Sequence, residues 1–123
     1  MVTLDIGRII WAVCPGTRGK GKRRPMVILT STAEIERTGL AFVVVCSSKF
    51  TEPVRDDEVL LPGGIGVNRS ITKLKKPTVA ICGWKRLIPV GGIRPEDYGG
   101  VVPTHLVIEI YRKIGIHIPS PEE

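Results

Sequence analysis

Residues 15–29 read PGTRGKGKRRPMVIL, a glycine-rich basic loop that runs directly into an apolar segment. Residues 16–22 satisfy the first seven positions of the phosphate-binding pattern G-x-x-x-x-G-K, but Arg23 stands where the pattern needs Ser or Thr. The pattern also needs a helix after the loop, whereas Pro25 and the run MVIL are typical of a strand. We therefore reject a nucleotide-binding loop and predict a β-strand that follows a cationic loop.

Short apolar segments separated by Gly, Pro and charged turns recur along the chain, with a spacing typical of a small β-barrel. The run VVV at residues 43–45 does not alternate, so we expect its strand to be covered on both faces. The segment EVLLP is typical of a short edge strand. The predicted strands are residues 8–13, 26–30, 41–47, 58–61 and 78–84.

Two segments have helical signals. Residues 30–38 are predicted to form a turn or a short helix, and Pro103 and Thr104 are start signals for a C-terminal helix. The β-branched run VIEIY also fits a strand, but we predict the helix. The apolar positions on one face of that helix are Leu106, Val107, Ile110, Tyr111 and Ile114.

Length and composition are those of one ordinary globular domain over residues 1–123, with 42% hydrophobic and 24% charged residues. No apolar run approaches the roughly 18 residues that a membrane helix needs, and Asp5 stands where a signal peptide would be basic. We expect a soluble, cytoplasmic protein with no membrane partner. Cys14, Cys46 and Cys82 lie in or beside apolar segments and are predicted to be buried, reduced thiols.

Positive charge is concentrated in two acid-free windows of this chain, whose net charge is +6. Between Asp5 and Glu34 there are six bases and no acid, and between Glu58 and Glu96 there are seven bases and no acid. If the fold brings these windows together, they form a cationic groove of the kind that follows a phosphodiester backbone. Solvated loops on a basic protein are the alternative.

Five segments occur in order over residues 6–90: GRIIWAV, the basic glycine loop, RRPMVILTS, FVVVCSS and KKPTVAICGWKRLIP. Together they resemble the PemK/MazF family of toxins from bacterial toxin-antitoxin modules. The most specific element is the pair Arg24 and Pro25, which follows a glycine-rich loop and opens an apolar strand. The segment AICGWKRLIP is similar to a short arginine-containing motif of the family.

The resemblance implies a mainly β fold, an SH3-like β-barrel with a C-terminal helix, that works as a homodimer. It also implies an endoribonuclease that cleaves single-stranded RNA without metal or cofactor and is silenced by a cognate antitoxin protein. By position, the family's catalytic arginine is Arg24, the hydroxyl residue that ends the third strand is Ser47, and the arginine of the later motif is Arg86. This chain departs from the family in its first loop, which lacks a Glu-Gln pair, and at Gly83, where some members have an acid.

The chemistry of RNA cleavage explains why these residue types matter. Without a metal, the 2′-hydroxyl attacks the adjacent phosphate, and a guanidinium offers the phosphorane two parallel N–H donors that Lys cannot match. We assign that role to Arg24, which Pro25 biases to an extended conformation. Ser47 is interpreted as a donor to a phosphate oxygen or to the leaving group, with Ser48 as the fallback. A serine that only forms a turn is the alternative.

Other basic and aromatic residues are interpreted as RNA contacts. The cations near the loop are expected to steer phosphates without sequence preference. Trp84 either packs in the core or stacks on a base, and Arg86 either contacts RNA or pairs with a carboxylate such as Asp97. Trp11 is expected in the core. The residues predicted to contact RNA are Lys20, Lys22, Arg23, Ser48, Trp84, Lys85 and Arg86.

Two alternatives to the ribonuclease remain. One is a non-catalytic SH3-like barrel that binds nucleic acid or a protein partner, motivated by the missing acid at Gly83. The other is a toxin of similar topology that poisons a protein target such as gyrase. A zinc site is not predicted, because His105 and His117 are 12 residues apart and flanked by apolar residues.

Overall fold

The computed structural model describes residues 4–13, 23–63 and 69–115, which form one six-stranded antiparallel sheet with helices packed on it. The strand order is β4-β5-β3-β2-β1-β6, and the sheet curls into a half-barrel whose edge strands, β4 and β6, do not pair with each other in these ranges. The strands are β1 (Arg8–Val13), β2 (Arg23–Ile28), β3 (Leu40–Ser47), β4 (Glu58–Leu61), β5 (Thr78–Pro89) and β6 (Tyr98–Val101). The helices are α1 (Thr32–Thr38), α2 (Arg69–Thr72) and α3 (Thr104–Ile114), with one 3₁₀ turn at Pro95–Asp97.

The predicted mainly β fold with a C-terminal helix is confirmed, and residues 58–61 do form an edge strand. Two strand boundaries were wrong by three residues or more. β2 starts three residues earlier than expected, because Arg23 and Arg24 pair with the end of β1. β5 runs five residues further than expected, because its second half pairs with β3 beyond a register shift between Val44 and Cys46. Neither β6 nor α2 was predicted.

The central strand β3 is buried on both faces, as the unbroken valine run predicted. Val43 and Val45 pack in a cluster that includes Ile35 of α1, whereas Val44 packs in a larger cluster on the other face. All three valines are fully buried. Polar side chains can therefore reach solvent from this strand only near its ends.

Helix α3 covers the larger core and confirms the helical prediction for this segment. Val107, Ile110 and Tyr111 are buried, and the helix ends at Gly115, whose φ of 74° is in the left-handed region that Gly tolerates. The Tyr111 hydroxyl donates a hydrogen bond to the Leu29 carbonyl, and burial raises the pKa of Tyr111 to about 12. None of the helices in the described ranges is long and apolar enough to cross a membrane.

Strand β6 contains two glycines because its neighbours approach its backbone closely. A Cβ at Gly99 would lie 3.0 Å from Ile9 Cγ2, and a Cβ at Gly100 would lie only 1.9 Å from the Ile71 carbonyl oxygen. The backbone of α2 therefore packs directly on β6. This contact fixes the start of the segment at residues 73–76 that follows α2.

We expect Gly100→Ala to destabilise the protein, because the added methyl group would strike α2 backbone atoms that cannot rotate away. Overpacking of this kind typically costs about 1–3 kcal/mol, so thermal unfolding should show a melting temperature lower by several degrees. Gly91→Ala is the matched control, since its Cβ would meet no atom within 4 Å. Equal melting temperatures for the two variants would contradict the packing of α2 on β6.

Candidate nucleic-acid interface

A pocket of about 550 Å³ lies where β2 begins and β3 ends. The two strands are antiparallel, and Met26 of β2 pairs with Val45 of β3. Arg24 stands two residues before Met26 and Ser47 two residues after Val45, so they lie across from each other at the strand ends. Both half-buried side chains line the pocket.

The pocket is strongly cationic, because six basic side chains and one carboxylate, that of Glu96, line it. Five of the six bases come from the two acid-free windows of the sequence, so the fold does bring those windows together. The arrangement suits a polyanion, which neutralises several of these charges at once. The six bases are Arg23, Arg24, Lys49, Lys73, Lys75 and Lys76.

Arg24 is held by an aromatic ring rather than by an acid. Its guanidinium carbon lies 5.2 Å from the centroid of the Trp84 ring, a cation-π contact, and none of the ion pairs between described residues includes it. Pro25 is buried and pairs with Trp11 of β1, which anchors the start of the strand. A guanidinium stacked on a ring keeps its N–H edges for an anion.

Ser47 both shapes a turn and lines the pocket. Its hydroxyl oxygen accepts a hydrogen bond of 3.1 Å from the Lys49 amide, which is the turn-forming role considered as an alternative. The exposed Ser48 also lines the pocket. The hydrogen bond holds the hydroxyl against the backbone of Lys49 at the end of β3.

Lys73, Lys75 and Lys76 line one side of the pocket. None of the three was predicted to be a site residue. The buried Thr72 positions this segment, since its hydroxyl donates to the Pro62 carbonyl at 2.6 Å and accepts from the Leu74 amide at 3.2 Å. Lys73 has a φ of 59°, an uncommon conformation for a residue other than Gly. These lysines belong to the second acid-free window of the sequence. Nothing in that window distinguishes lysines that line the pocket from Lys85, which does not.

Arg23, which was expected to contact phosphate, also has a structural role, because it connects β2 to β1 and to the 3₁₀ turn. Its Nη2 donates to Asp97 Oδ1 at 2.6 Å and to the Trp11 carbonyl at 3.3 Å. The suggestion that Asp97 pairs with Arg86 is therefore wrong. The Arg86 Nη1 instead donates to the carbonyl of its neighbour Lys85 at 2.7 Å.

Three other predicted RNA contacts lie outside the pocket. Lys85 and Arg86 pair with Val44 and Val43, in the middle of the sheet rather than at the strand ends. Trp84 packs partly against the smaller core and reaches the site only through Arg24. The remaining two, Lys20 and Lys22, fall outside the described residues.

The thiol of Cys46 borders the pocket but is poorly suited to act as a nucleophile. It is buried, and desolvation raises its pKa above the usual value, so it stays protonated at neutral pH. Burial likewise raises the pKa of Cys82 to about 11. Both are free and buried as predicted, whereas Cys14 lies outside the described residues.

The other carboxylates of the described residues do not line the pocket. Gly83 is exposed on β5, and a Cβ there would lie 3.3 Å from Asp57 Oδ2, but neither residue lines the pocket. His105 is exposed on α3, and His117 lies outside the described residues. In the described ranges no three His, Cys, Asp or Glu residues are grouped so that they could hold a metal ion.

The pocket continues into two neighbouring cavities. One, of about 540 Å³, shares Ser48 and Lys49 with it and extends towards Arg55. The other, of about 350 Å³, shares Trp11 and Arg23 with it. We call the three cavities, which are joined through these shared residues, the groove.

We expect Lys75→Ala/Lys76→Ala to weaken the binding of a single-stranded oligonucleotide. Loss of two phosphate contacts should lower the magnitude of the slope of log K against log[salt] by about 1.4, as measured by fluorescence anisotropy. Lys85→Ala/Arg86→Ala removes the same net charge outside the pocket and should leave the slope nearly unchanged. The opposite ranking would place the binding surface on the middle of β5.

Comparisons with known proteins bear on the fold. No protein-family model and no curated protein sequence matches the chain. Among solved structures, MazF of Deinococcus radiodurans aligns with a TM-score of 0.71 and 23% identity over 94% of this chain and 96% of that chain.

A MazE-MazF structure from the same organism gives a TM-score of 0.69 and 20% identity over 93% of this chain and 94% of that chain. Toxin MazF-mt6 of Mycobacterium tuberculosis gives 0.65 and 19% identity over 88% of this chain and 92% of that chain. Fewer than a quarter of aligned residues are identical in each case, so the likeness is one of architecture. The chain has the fold of the MazF toxins.

Proposed function

We propose that this protein is a metal-independent endoribonuclease toxin of the PemK/MazF type that cleaves single-stranded RNA, as part of a type II toxin-antitoxin system. The observation that carries the proposal is the meeting of Arg24 and Ser47 in one cationic pocket at the ends of β2 and β3. The fold shared with MazF toxins supports the same function.

The proposed reaction is an attack of the RNA 2′-hydroxyl on the adjacent phosphorus. Arg24 donates two hydrogen bonds to the phosphorane oxygens, where negative charge accumulates in the transition state. Ser47 donates to a phosphate oxygen or to the leaving 5′-oxygen. The three lysines at residues 73–76 hold the flanking phosphates. The products are a 2′,3′-cyclic phosphate and a free 5′-hydroxyl.

Partners follow from the same proposal. MazE-MazF structures are known for Deinococcus radiodurans, and we propose a cognate antitoxin protein that covers the groove formed by the three cavities of this chain. The protein acts as a homodimer in the cytoplasm, where its messenger RNA substrates are translated.

A non-catalytic barrel that binds nucleic acid or protein is the second candidate. The observation that favours it is the absence of a carboxylate at Gly83, on the strand that carries Trp84. In that case the cationic pocket would bind RNA, and the RNA would stay intact.

Arg24→Ala separates these two functions. The wild-type protein should cut a mixed single-stranded RNA into discrete fragments in the presence of EDTA, and the variant should lose about 10²–10³-fold in rate, as expected for removal of a transition-state donor. Arg24→Lys should remain strongly impaired, because an ammonium group cannot form the two parallel hydrogen bonds. Fragment ends are read by gel electrophoresis and phosphatase sensitivity.

The matched control is Arg86→Ala, which removes an exposed guanidinium outside the pocket and should cleave at the wild-type rate. Circular dichroism and thermal unfolding verify that each variant is folded. Intact RNA with the wild-type protein, together with measurable RNA binding, would favour the non-catalytic barrel.

A further inference from the structure

The carboxylate of Glu96 is the one acidic group among the described residues that line the cationic pocket. A site that only bound RNA phosphates would be weakened by a negative charge facing them. Glu96 is exposed and takes part in none of the ion pairs between described residues. Its position therefore calls for a role other than binding.

Among the described residues that line the pocket, Glu96 is the one candidate proton acceptor. The described residues that line the pocket include no His and no Asp. The thiol of Cys46 also lines the pocket, but burial raises its pKa and holds it in the neutral form. Of the residues that the structure does not describe, 1–3, 14–22 and 64–68 contain no Asp, Glu or His, whereas His117, Glu122 and Glu123 lie in 116–123.

An ion pair connects the turn that contains Glu96 to β2, the strand that contains Arg24. Arg23, the neighbour of Arg24, forms a 2.6 Å ion pair with Asp97, the neighbour of Glu96. Asp97 Oδ2 also accepts a 3.0 Å hydrogen bond from the Arg94 amide, which closes the 3₁₀ turn. The two bonds of Asp97 hold the turn against β2, so Glu96 faces the pocket from the side of Arg23.

We propose that Glu96 is the general base that accepts the proton of the attacking 2′-hydroxyl, an inference that rests on the ribonuclease function proposed above. As the 2′-O–H bond breaks, its proton passes to the Glu96 carboxylate and the 2′-oxygen bonds to phosphorus. The bond from phosphorus to the 5′-oxygen breaks, and that oxygen takes a proton from water. The hydroxide so formed removes the proton from Glu96, which restores the carboxylate.

The charged groups around Glu96 come from every element that borders the pocket. Arg94 and Asp97 belong to its own turn, and Tyr98 follows it. The cations from the other elements are Arg23 and Arg24 of β2, Lys49 after β3, and Lys73, Lys75 and Lys76 before β5.

Glu96→Gln tests the role, because it keeps the shape of the side chain and removes its basicity. We expect kcat to fall by about 100-fold or more, the usual contribution of a general base, with RNA affinity unchanged or tighter. In the wild-type protein kcat/KM should fall as the pH is lowered, and this acid limb should disappear from the residual activity of the variant. Glu96→Asp should restore part of the rate.

Three further variants control the experiment. Glu36→Gln alters an exposed carboxylate of α1, and Asp57→Asn alters the carboxylate beside Gly83; both should retain the wild-type rate. Asp97→Asn should lower the rate by loosening the turn but should keep the acid limb.

Wild-type cleavage combined with an unchanged rate and pH profile in Glu96→Gln would overturn the role of Glu96 alone. The same holds if Asp57→Asn, rather than Glu96→Gln, removes the acid limb. A wild-type protein that does not cleave RNA would instead refute the ribonuclease function itself. The two failures are therefore distinguishable.

Discussion

The burial of β3 on both faces is the constraint on which the rest of the molecule depends. Val43, Val44 and Val45 are in contact with two cores, so the centre of β3 presents no side chain to solvent. The functional groups that β3 can contribute are thereby confined to its ends. The start of β2 and the end of β3 meet at one such place, and the pocket lies there. The positions of Arg24 and Ser47 follow from the strand pairing rather than from any contact between them.

Mutual repulsion among the six cations of the pocket is limited because most of their side chains are exposed to solvent. Lys49, Lys73, Lys75 and Lys76 are exposed, and at physiological salt the Debye length of about 8 Å screens much of their repulsion. Arg24, the half-buried member, is stabilised by the face of Trp84 instead of by an acid. An acid partner would satisfy its charge and compete with a bound phosphate. The aromatic ring therefore keeps the guanidinium in place while leaving its donors available.

The sequence predicted the strands wherever hydrophobic runs were unbroken, and it failed where packing overrides propensity. β6 reads YGGV, a poor strand by composition, yet its glycines are required because Ile9 and the α2 backbone leave no room for side chains. The predicted fifth strand stopped at residue 84, because Lys85 and Arg86 interrupt the apolar pattern of β5. In the site, Arg24 and Ser47 were found through family resemblance, and the cationic groove through charge distribution. Lys49 and Glu96 were missed, since neither shows a local pattern and only the tertiary fold places them in the pocket.

The distinction between fold and chemistry also explains how a ribonuclease of this architecture could lack an acid on β5. A fold shared at 19–23% identity over most of the chain preserves strand pairing, and hence the places where side chains converge, without fixing the residue at each place. Proton transfer constrains the position of a carboxylate relative to the reacting hydroxyl, not the element that carries it. Gly83 of β5 does not line the pocket, whereas the turn before β6, anchored to β2 by the Arg23–Asp97 pair, does present a carboxylate to it. The absence of an acid at Gly83 is therefore compatible with catalysis when another element supplies a carboxylate to the pocket.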